Sequence, residues 1–90
     1  MSVEVRIPTV LRALTDGQKS VQGSGSTLAE VIDSVDVGNP GIKERLLESG
    51  DLRRFVNVYV NDEDVRFIGG LAAPVVAGDV VVVLPAVAGG

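Results

Sequence analysis

The chain has 90 residues and a net charge of −4; that length suits one domain burying roughly 60–65% of its extended surface, and an acidic balance without a basic cluster argues against nucleic-acid binding, which rests on neutralising phosphates. Its hydrophobic share of 46% is dominated by Val, with Phe55, Tyr59 and Phe67 as the only aromatics, a composition that suits a sheet of short strands. Cys and His are both absent, which removes disulfides, thiolate metal sites, cysteine nucleophiles and the commonest general base, so neither a metal centre nor a self-contained hydrolase is expected.

Val3, Val5 and Ile7 alternate with Glu4 and Arg6, the period-two pattern of a half-buried strand, which is expected to run on toward Leu14. Pro8 interrupts the donor pattern and places the stretch at a sheet edge or bulge. Thr15-Asp16-Gly17-Gln18 reads as a turn, and a short strand over 19–22 completes an N-terminal hairpin. After Gly23-Ser24-Gly25, Thr27 is the expected N-cap of a helix, with Glu30 as its capping-box partner. Leu28, Val31, Ile32 and Val35 follow at helical spacing and form one apolar stripe. Gly38-Asn39-Pro40-Gly41 ends that helix. A second short helix is expected over 42–48, with Ile42, Leu46 and Leu47 on one side, until Ser49-Gly50-Asp51 stops it.

Alternation is clean from Phe55 to Asn61: Val56, Val58 and Val60 face the core, and Phe55, Asn57, Tyr59 and Asn61 face away. Asn61-Asp62-Glu63-Asp64 turns into another short strand over 65–68, followed by a loop through Gly69-Gly70 and Ala72-Ala73-Pro74. Gly78-Asp79 makes a tight turn into the apolar run Val80 to Leu84. A continuous run of this kind suits the centre of a sheet, here parallel beside the first strand. Pro85 then ends the pairing. Residues 1–84 are therefore expected to form one α+β domain, a mixed sheet with one main helix on one face plus a short second helix. Residues 85–90 leave as a flexible tail. The first residues lack the basic and apolar regions of a signal peptide, and the apolar runs are too short to span a bilayer, so a cytoplasmic location without membrane attachment is expected.

The sequence closes on Ala88-Gly89-Gly90. A diglycine alone is weak evidence, since Gly69-Gly70 reads as an ordinary turn. Its setting is more specific: a free carboxylate follows directly, an anchored strand precedes it, and Ala86, Val87 and Ala88 between are small and uncharged. Six residues from Pro85 extend at most about 20 Å at ~3.3 Å each, enough to thread a narrow channel into a partner's active site. Glycine lets that channel be tight and tolerates the backbone angles of threading. Gly90 is thus the expected point of covalent chemistry, with Gly89, Ala88 and Val87 providing access. A carboxylate is a poor electrophile and must be activated. Adenylation by ATP makes a mixed anhydride, and a sulfur donor that displaces AMP leaves a thiocarboxylate, a soft nucleophile. These steps ask for no catalytic side chain on the chain itself. It is read as a carrier and not an enzyme, with no bound cofactor and with ATP used by the activating partner.

Three features carry a family resemblance: Asn57-Val58-Tyr59-Val60-Asn61, Gly78-Asp79 before an apolar strand, and Pro85-Ala86-Val87-Ala88-Gly89-Gly90. On these the chain resembles the MoaD/ThiS sulfur-carrier proteins over essentially its whole length. The resemblance implies the β-grasp fold of ubiquitin and activation by an E1-like adenylyl/sulfurtransferase. Within the family the likeness is strongest to a branch serving cysteine biosynthesis. That branch implies sulfide donation to a PLP-dependent cysteine synthase, where the thiocarboxylate adds to an aminoacrylate and an acyl shift leaves cysteine amide-linked to Gly90. A zinc metallopeptidase then releases the product. The segment from Ile42 to Arg54, with Arg45, Arg53 and Arg54, departs from shorter members. Other readings stay open: sulfur supply for molybdopterin or thiamine thiazole synthesis, conjugation of Gly90 to a lysine amine as a ubiquitin-like modifier, or a β-grasp binding module with an inert tail.

The candidate docking residues are Phe55, Tyr59, Arg53 and Arg54. Phe55 and Tyr59 lie opposite the Val face, and an exposed apolar patch there would mark an interaction site; the alternative is that the second helix covers Phe55. Arg53-Arg54 suit an acidic partner or are an ordinary surface pair. Asp62-Glu63-Asp64 lacks the ligand spacing of a calcium loop and reads as a solvated turn. Gly23-Ser24-Gly25 lacks the Lys of a phosphate loop.

Overall fold

Alternating valines build the sheet. In the computed structural model, which describes residues 2–54 and 56–85, β1 (Val3–Arg6) pairs antiparallel with β2 (Ser20–Gly23) and parallel with β7 (Val80–Pro85). β5 (Val56–Val60) pairs antiparallel with β7 and with the two-residue β6 (Glu63–Asp64). The resulting order is β2-β1-β7-β5-β6. Because side chains alternate along a strand, Val3, Val5, Val21, Val56, Val58, Val60, Val81 and Val83 are all buried together. Against them pack Leu28, Val31, Ile32 and Val35 of α1 (Leu28–Gly38), and Ile42 and Leu46 of α2 (Ile42–Leu46). This is the α+β grasp of a mixed sheet around one main helix.

Thr27 caps α1 as expected, its Oγ1 accepting the Glu30 N–H at 3.3 Å. The Glu30 carboxylate reaches one residue further back than a capping box requires. It accepts from the Ser26 N–H at 2.9 Å and faces the Ser26 hydroxyl at 3.1 Å. The bend before α1 needs two glycines. A Cβ on Gly23 would lie 2.9 Å from Val35 Cγ2, and one on Gly25 would lie 2.5 Å from Glu30 Cβ. At the far end, Asp36 Oδ1 accepts from the N–H groups of Gly41 and Lys43, both at 3.1 Å, and so joins α1 to α2.

A polar lock sets the start of β7. Asn61, in the left-handed region at φ 49°, donates its side-chain amide to Asp79 Oδ1 at 2.9 Å and accepts the Val80 N–H at 3.0 Å. Asp79 Oδ2 accepts the Val76 N–H at 2.9 Å. The Asp79 carbonyl accepts from the Glu4 N–H at 3.2 Å, which ties β1 to the same point.

Several sequence expectations are corrected. The first strand does not run toward Leu14: it stops at Arg6, and Thr9–Thr15 form a 3-10 helix. The Leu11 N–H bonds the Pro8 carbonyl at 2.9 Å, and Leu11 is buried; the spacing of Ile7, Leu11 and Leu14 is helical, not alternating. Nor is β1 an edge strand, since β2 and β7 flank it. Pro8 falls just past its end, where no donor is required. The second helix stops at Leu46 instead of Glu48, because β3 (Leu47–Glu48) turns back to pair with β4 (Asp51–Leu52). The loop between them, Ser49 and Gly50, has positive φ at both positions, as a tight hairpin turn requires. No strand spans 65–68. Val65–Phe67 form a 3-10 turn capped by Asp64, whose carboxylate accepts the Arg66 N–H at 2.9 Å, with Val65 fully buried beneath it. The loop after Gly69 holds another 3-10 turn, Gly70–Ala72. Pairing of the last strand extends through Pro85, opposite Val56.

Leu28 is fully buried between α1 and the sheet, so Leu28→Ala should lower the unfolding free energy by about 2–5 kcal/mol in urea titration. The Val76 N–H, and after it the Asn61 amide, hold the Asp79 carboxyl below the usual carboxylate range. A lowered folded-state pKa contributes stability above the unfolded value of about 3.9 and loses it as pH falls through the folded value. The thermal midpoint of the wild type should therefore exceed that of Asp79→Ala at neutral pH, and the gap should narrow below about pH 4. A gap that stays constant down to low pH would show that the lock does not depend on the charge.

Candidate functional site

The central strand β7 leads into the diglycine, and its two edges end differently. On the β5 side it is paired to its last residue, with Leu84 opposite Asn57 and Pro85 opposite Val56. On the β1 side pairing stops at Val82, opposite Arg6. Pro8 accounts for the difference, since it has no N–H to donate and the next residue starts the 3-10 helix. The gap is a groove of about 420 Å³ beside the end of β7, with Arg6, Pro8, Arg12, Lys19, Val82 and Leu84 in its lining. Arg6 Nε pairs with Glu4, two residues back along β1, at 2.9 Å, and Arg12 Nε donates to the Ile7 carbonyl at 3.0 Å.

The sheet face away from α1 carries the row Ser20, Arg6, Val82, Tyr59 and Asp64, in register across five strands. Tyr59 is half-buried beside Val82 in that row. Leu84, one pleat further toward the tail, is 47% exposed. Phe67, in the 3-10 turn after β6, is 86% exposed. The middle of that face, at Val82, Leu84 and Tyr59, is therefore apolar, with charged and polar side chains toward its edges.

Arg53 faces a different surface. Its Nε and Nη2 donate to the Glu44 carbonyl at 3.1 and 2.9 Å, and its Nη1 pairs with Glu48 at 3.0 Å. It fastens the β3–β4 hairpin to α2. Arg54 is exposed in the turn that precedes β5. Phe55 and the tail residues Val87, Ala88, Gly89 and Gly90 lie outside the described residues.

Arg66 is a site residue that sequence reasoning missed. Its Nη1 donates to Asn57 Oδ1 at 2.7 Å, and its Nη2 to the carbonyls of Val56 at 2.6 Å and Arg53 at 3.4 Å. β6 pairs only with Tyr59 and Val60, so this guanidinium completes the edge of β5 that β6 does not reach. It thereby steadies the segment against which Leu84 and Pro85 pair. The contacts span nine to thirteen residues through a turn and a 3-10 helix, and no local pattern signals them. The one hint was a hydrogen-bonding side chain, Asn57, at an outward strand position.

The void between helix and sheet is apolar and about 10 Å³, no more than a single water requires. Among the described residues no group of three or more acidic side chains is placed to hold a metal ion. Among them, too, no helix is long and apolar enough to cross a membrane. What the arrangement offers is a rigid root for a chain end.

Residues 5–90 match the ThiS family. The sulfur carrier protein CysO of Mycobacterium tuberculosis is 58% identical over 93 aligned positions, which cover 100% of both chains. A crystal structure of the Amycolatopsis orientalis BexX/CysO complex contains a chain that superposes with a TM-score of 0.94 at 58% identity, over 98% of this chain and 99% of that one. Small archaeal modifier protein 3 of Haloferax volcanii is 34% identical over 93 aligned positions, again 100% of both.

Removing the Arg66 guanidinium leaves the Val56 carbonyl and the Asn57 amide oxygen without this donor. Arg66→Ala should cost about 1 kcal/mol of stability. By amide hydrogen exchange, Asn57 and Leu84 should lose protection more than Val80 and Val81. Equal loss along the whole of β7 would contradict a local role.

Proposed function

This chain belongs to the ThiS family of small sulfur carriers, proteins that carry and do not catalyse, and from that premise we propose that its sulfur is held as a thiocarboxylate at Gly90. An E1-like adenylyl/sulfurtransferase joins the Gly90 carboxylate to AMP, with pyrophosphate leaving ATP. A sulfur donor then displaces AMP, breaking the C–O bond of the mixed anhydride and forming C–S. The loaded carrier donates to a PLP-dependent cysteine synthase, where an activated serine loses its side-chain oxygen with the activating group to give an aminoacrylate, and the thiocarboxylate sulfur adds to the side-chain carbon as a proton returns to the α-carbon. An S-to-N acyl shift leaves cysteine on Gly90 through an amide, and a zinc metallopeptidase hydrolyses it. ATP is the activating partner's substrate, and the carrier needs no cofactor of its own.

The observation that carries this reading is the root of the tail. β7 is central, paired with β5 through Pro85, and Gly90 follows five residues later. Five residues of chain give a reacting carboxylate up to about 17 Å of reach from Pro85 at ~3.3 Å each, and glycine at its end presents the least bulk to a partner's channel. Full-length identity of 58% to a sulfur carrier named CysO supports the cysteine branch over the other sulfur acceptors. We place docking of the activating enzyme on the open sheet face around Val82, Leu84 and Tyr59, the apolar surface that adjoins the tail. A second reading, conjugation of Gly90 to a target lysine, is favoured by the 34% identity to a small archaeal modifier protein.

With activating enzyme, ATP and a sulfur donor, intact mass should show one terminal oxygen replaced by sulfur, and a variant lacking Gly90 should not load. Loaded carrier plus cysteine synthase should yield carrier-linked cysteine. Undiminished cysteine formation by the truncated variant, or with free sulfide alone, would overturn the carrier reading. Conjugates to other proteins that survive denaturant and thiols would favour the modifier reading.

A further inference from the structure

The sequence places its lysines and arginines singly or in pairs, yet the fold collects four arginines around the end of β7. Pro85, the last residue of that strand, lies opposite Val56. Arg66 donates to the Val56 carbonyl at 2.6 Å. Arg54 is exposed two residues before Val56. Arg45, exposed on α2, borders a hollow with Val56 and Val83. Arg12 borders the groove beside Leu84. None of the four enters an ion pair among the described residues, where the pairs are Arg6–Glu4, Lys43–Asp33 and Arg53–Glu48.

Where β7 begins, the charges have the other sign. Asp79 immediately precedes the strand, Asp62 and Glu63 follow the end of β5, and Glu30 accepts from Ser26, whose carbonyl accepts the Val75 N–H. No lysine or arginine is placed there. Val80 and Pro85 stand about 17 Å apart at ~3.3 Å per residue, twice the Debye length of about 8 Å at physiological salt. A partner at Pro85 therefore meets the local charge, and the net charge of −4 does not describe it. Carboxylates near this end do not cancel the collar. Glu44 and Asp51 belong to α2 and β4, on the helix side of the sheet, and Asp16 ends the 3-10 helix that carries Arg12. Arg12 and Arg66 reach the open side, one through the groove beside Leu84 and the other through Asn57.

We propose that this arginine collar docks on an acidic rim of the activating enzyme, around the entrance that receives the chain end. The proposal rests on the reading that a partner enzyme adenylates Gly90, and it adds the chemistry of the surface that partner presents. Two observations select protein carboxylates. All four cations are guanidinium groups, whose planar fork matches a carboxylate through two parallel hydrogen bonds. They also flank the apolar strip of Val82, Leu84 and Tyr59. An apolar centre with arginine around it has the anatomy of a protein interface, whereas a nucleic acid would use the charge and leave the strip uncovered. The attraction acts on encounter: an acidic rim draws in the Pro85 end and repels the Asp62, Glu63 and Asp79 end, so the carrier arrives oriented.

Stopped-flow mixing of the full chain with the E1-like adenylyl/sulfurtransferase reads association, and ATP–pyrophosphate exchange reads adenylation. Arg45 and Arg54 make no ion pair in the fold, so the double variant Arg45→Glu, Arg54→Glu should keep the wild-type thermal midpoint. At about 50 mM salt it should associate about tenfold more slowly than the wild type, with dissociation changed less than about twofold. The gap should close at about 1 M salt, where the Debye length is ~3 Å. Arg45→Lys with Arg54→Lys should recover most of the rate, and Glu63→Lys at the opposite end should not slow association. Equal rates for the wild type and the double Glu variant at low salt, a gap that persists at high salt, or equal slowing by Glu63→Lys would overturn the proposal. Tighter binding of a single-stranded RNA oligomer than of the enzyme would overturn the choice of a protein partner. Absence of pyrophosphate exchange with the wild type would remove Gly90 activation and the docking with it. Exchange with equal association rates would leave activation standing and remove only the collar.

Discussion

β7 is hydrogen-bonded to β1 along one edge and to β5 along the other, and the Asn61–Asp79 lock fixes where it begins. A strand held on both edges has its register set twice. It also buries Val81 and Val83 on one face, with β1 and β5 both paired to its first half. The placement of Pro85, from which the tail departs, follows from this constraint. A chain end that leaves an edge strand or a loop would carry the mobility of its support, whereas one that leaves this strand departs from a defined point.

The asymmetry at the end of β7 is as informative as its centrality. β5 accompanies the strand through Pro85, steadied from outside by Arg66, while β1 withdraws after Arg6. One proline and one arginine produce this, neither of them reactive. The carrier's chemistry is arranged by backbone pairing and by where pairing stops. In the function proposed above, the reactions themselves take place in partners' active sites.

The readable parts of the fold were those governed by local period. Val56, Val58 and Val60 alternate, and all three are buried. Leu28, Val31, Ile32 and Val35 recur at helical spacing and form the stripe of α1 that meets the sheet. The apolar run from Val80 shows no alternation, which located it at the centre of the sheet, where both its edges are paired, although Leu84 on its outward face is exposed. The misread parts were those in which a short segment serves contacts distant in sequence. Val65–Phe67 alternates well enough for a strand, yet β6 ends at Asp64 and the buried Val65 draws the chain into a 3-10 turn. The hairpin over 47–52 looked like the end of a helix, because its two-residue strands are too short to show a period. Arg53 read as a free surface cation, and its bonds to Glu44 and Glu48 depend on that same hairpin folding back.

By itself, the sequence determined the composition of the core, the helix and its cap, the central strand and the identity of the last two residues. These follow from side-chain periodicity and from which functional groups exist at all, both of which are local properties. Only the tertiary structure decided that β1 lies inside the sheet, that its early end opens a groove beside the root of the tail, that Arg66 supports the strand opposite Pro85, and that Lys19 borders the same groove. Each of these is a meeting of residues from separate segments. The register of strand against strand sets such meetings, and in this chain that register comes from the buried valine face and the Asn61–Asp79 lock acting together.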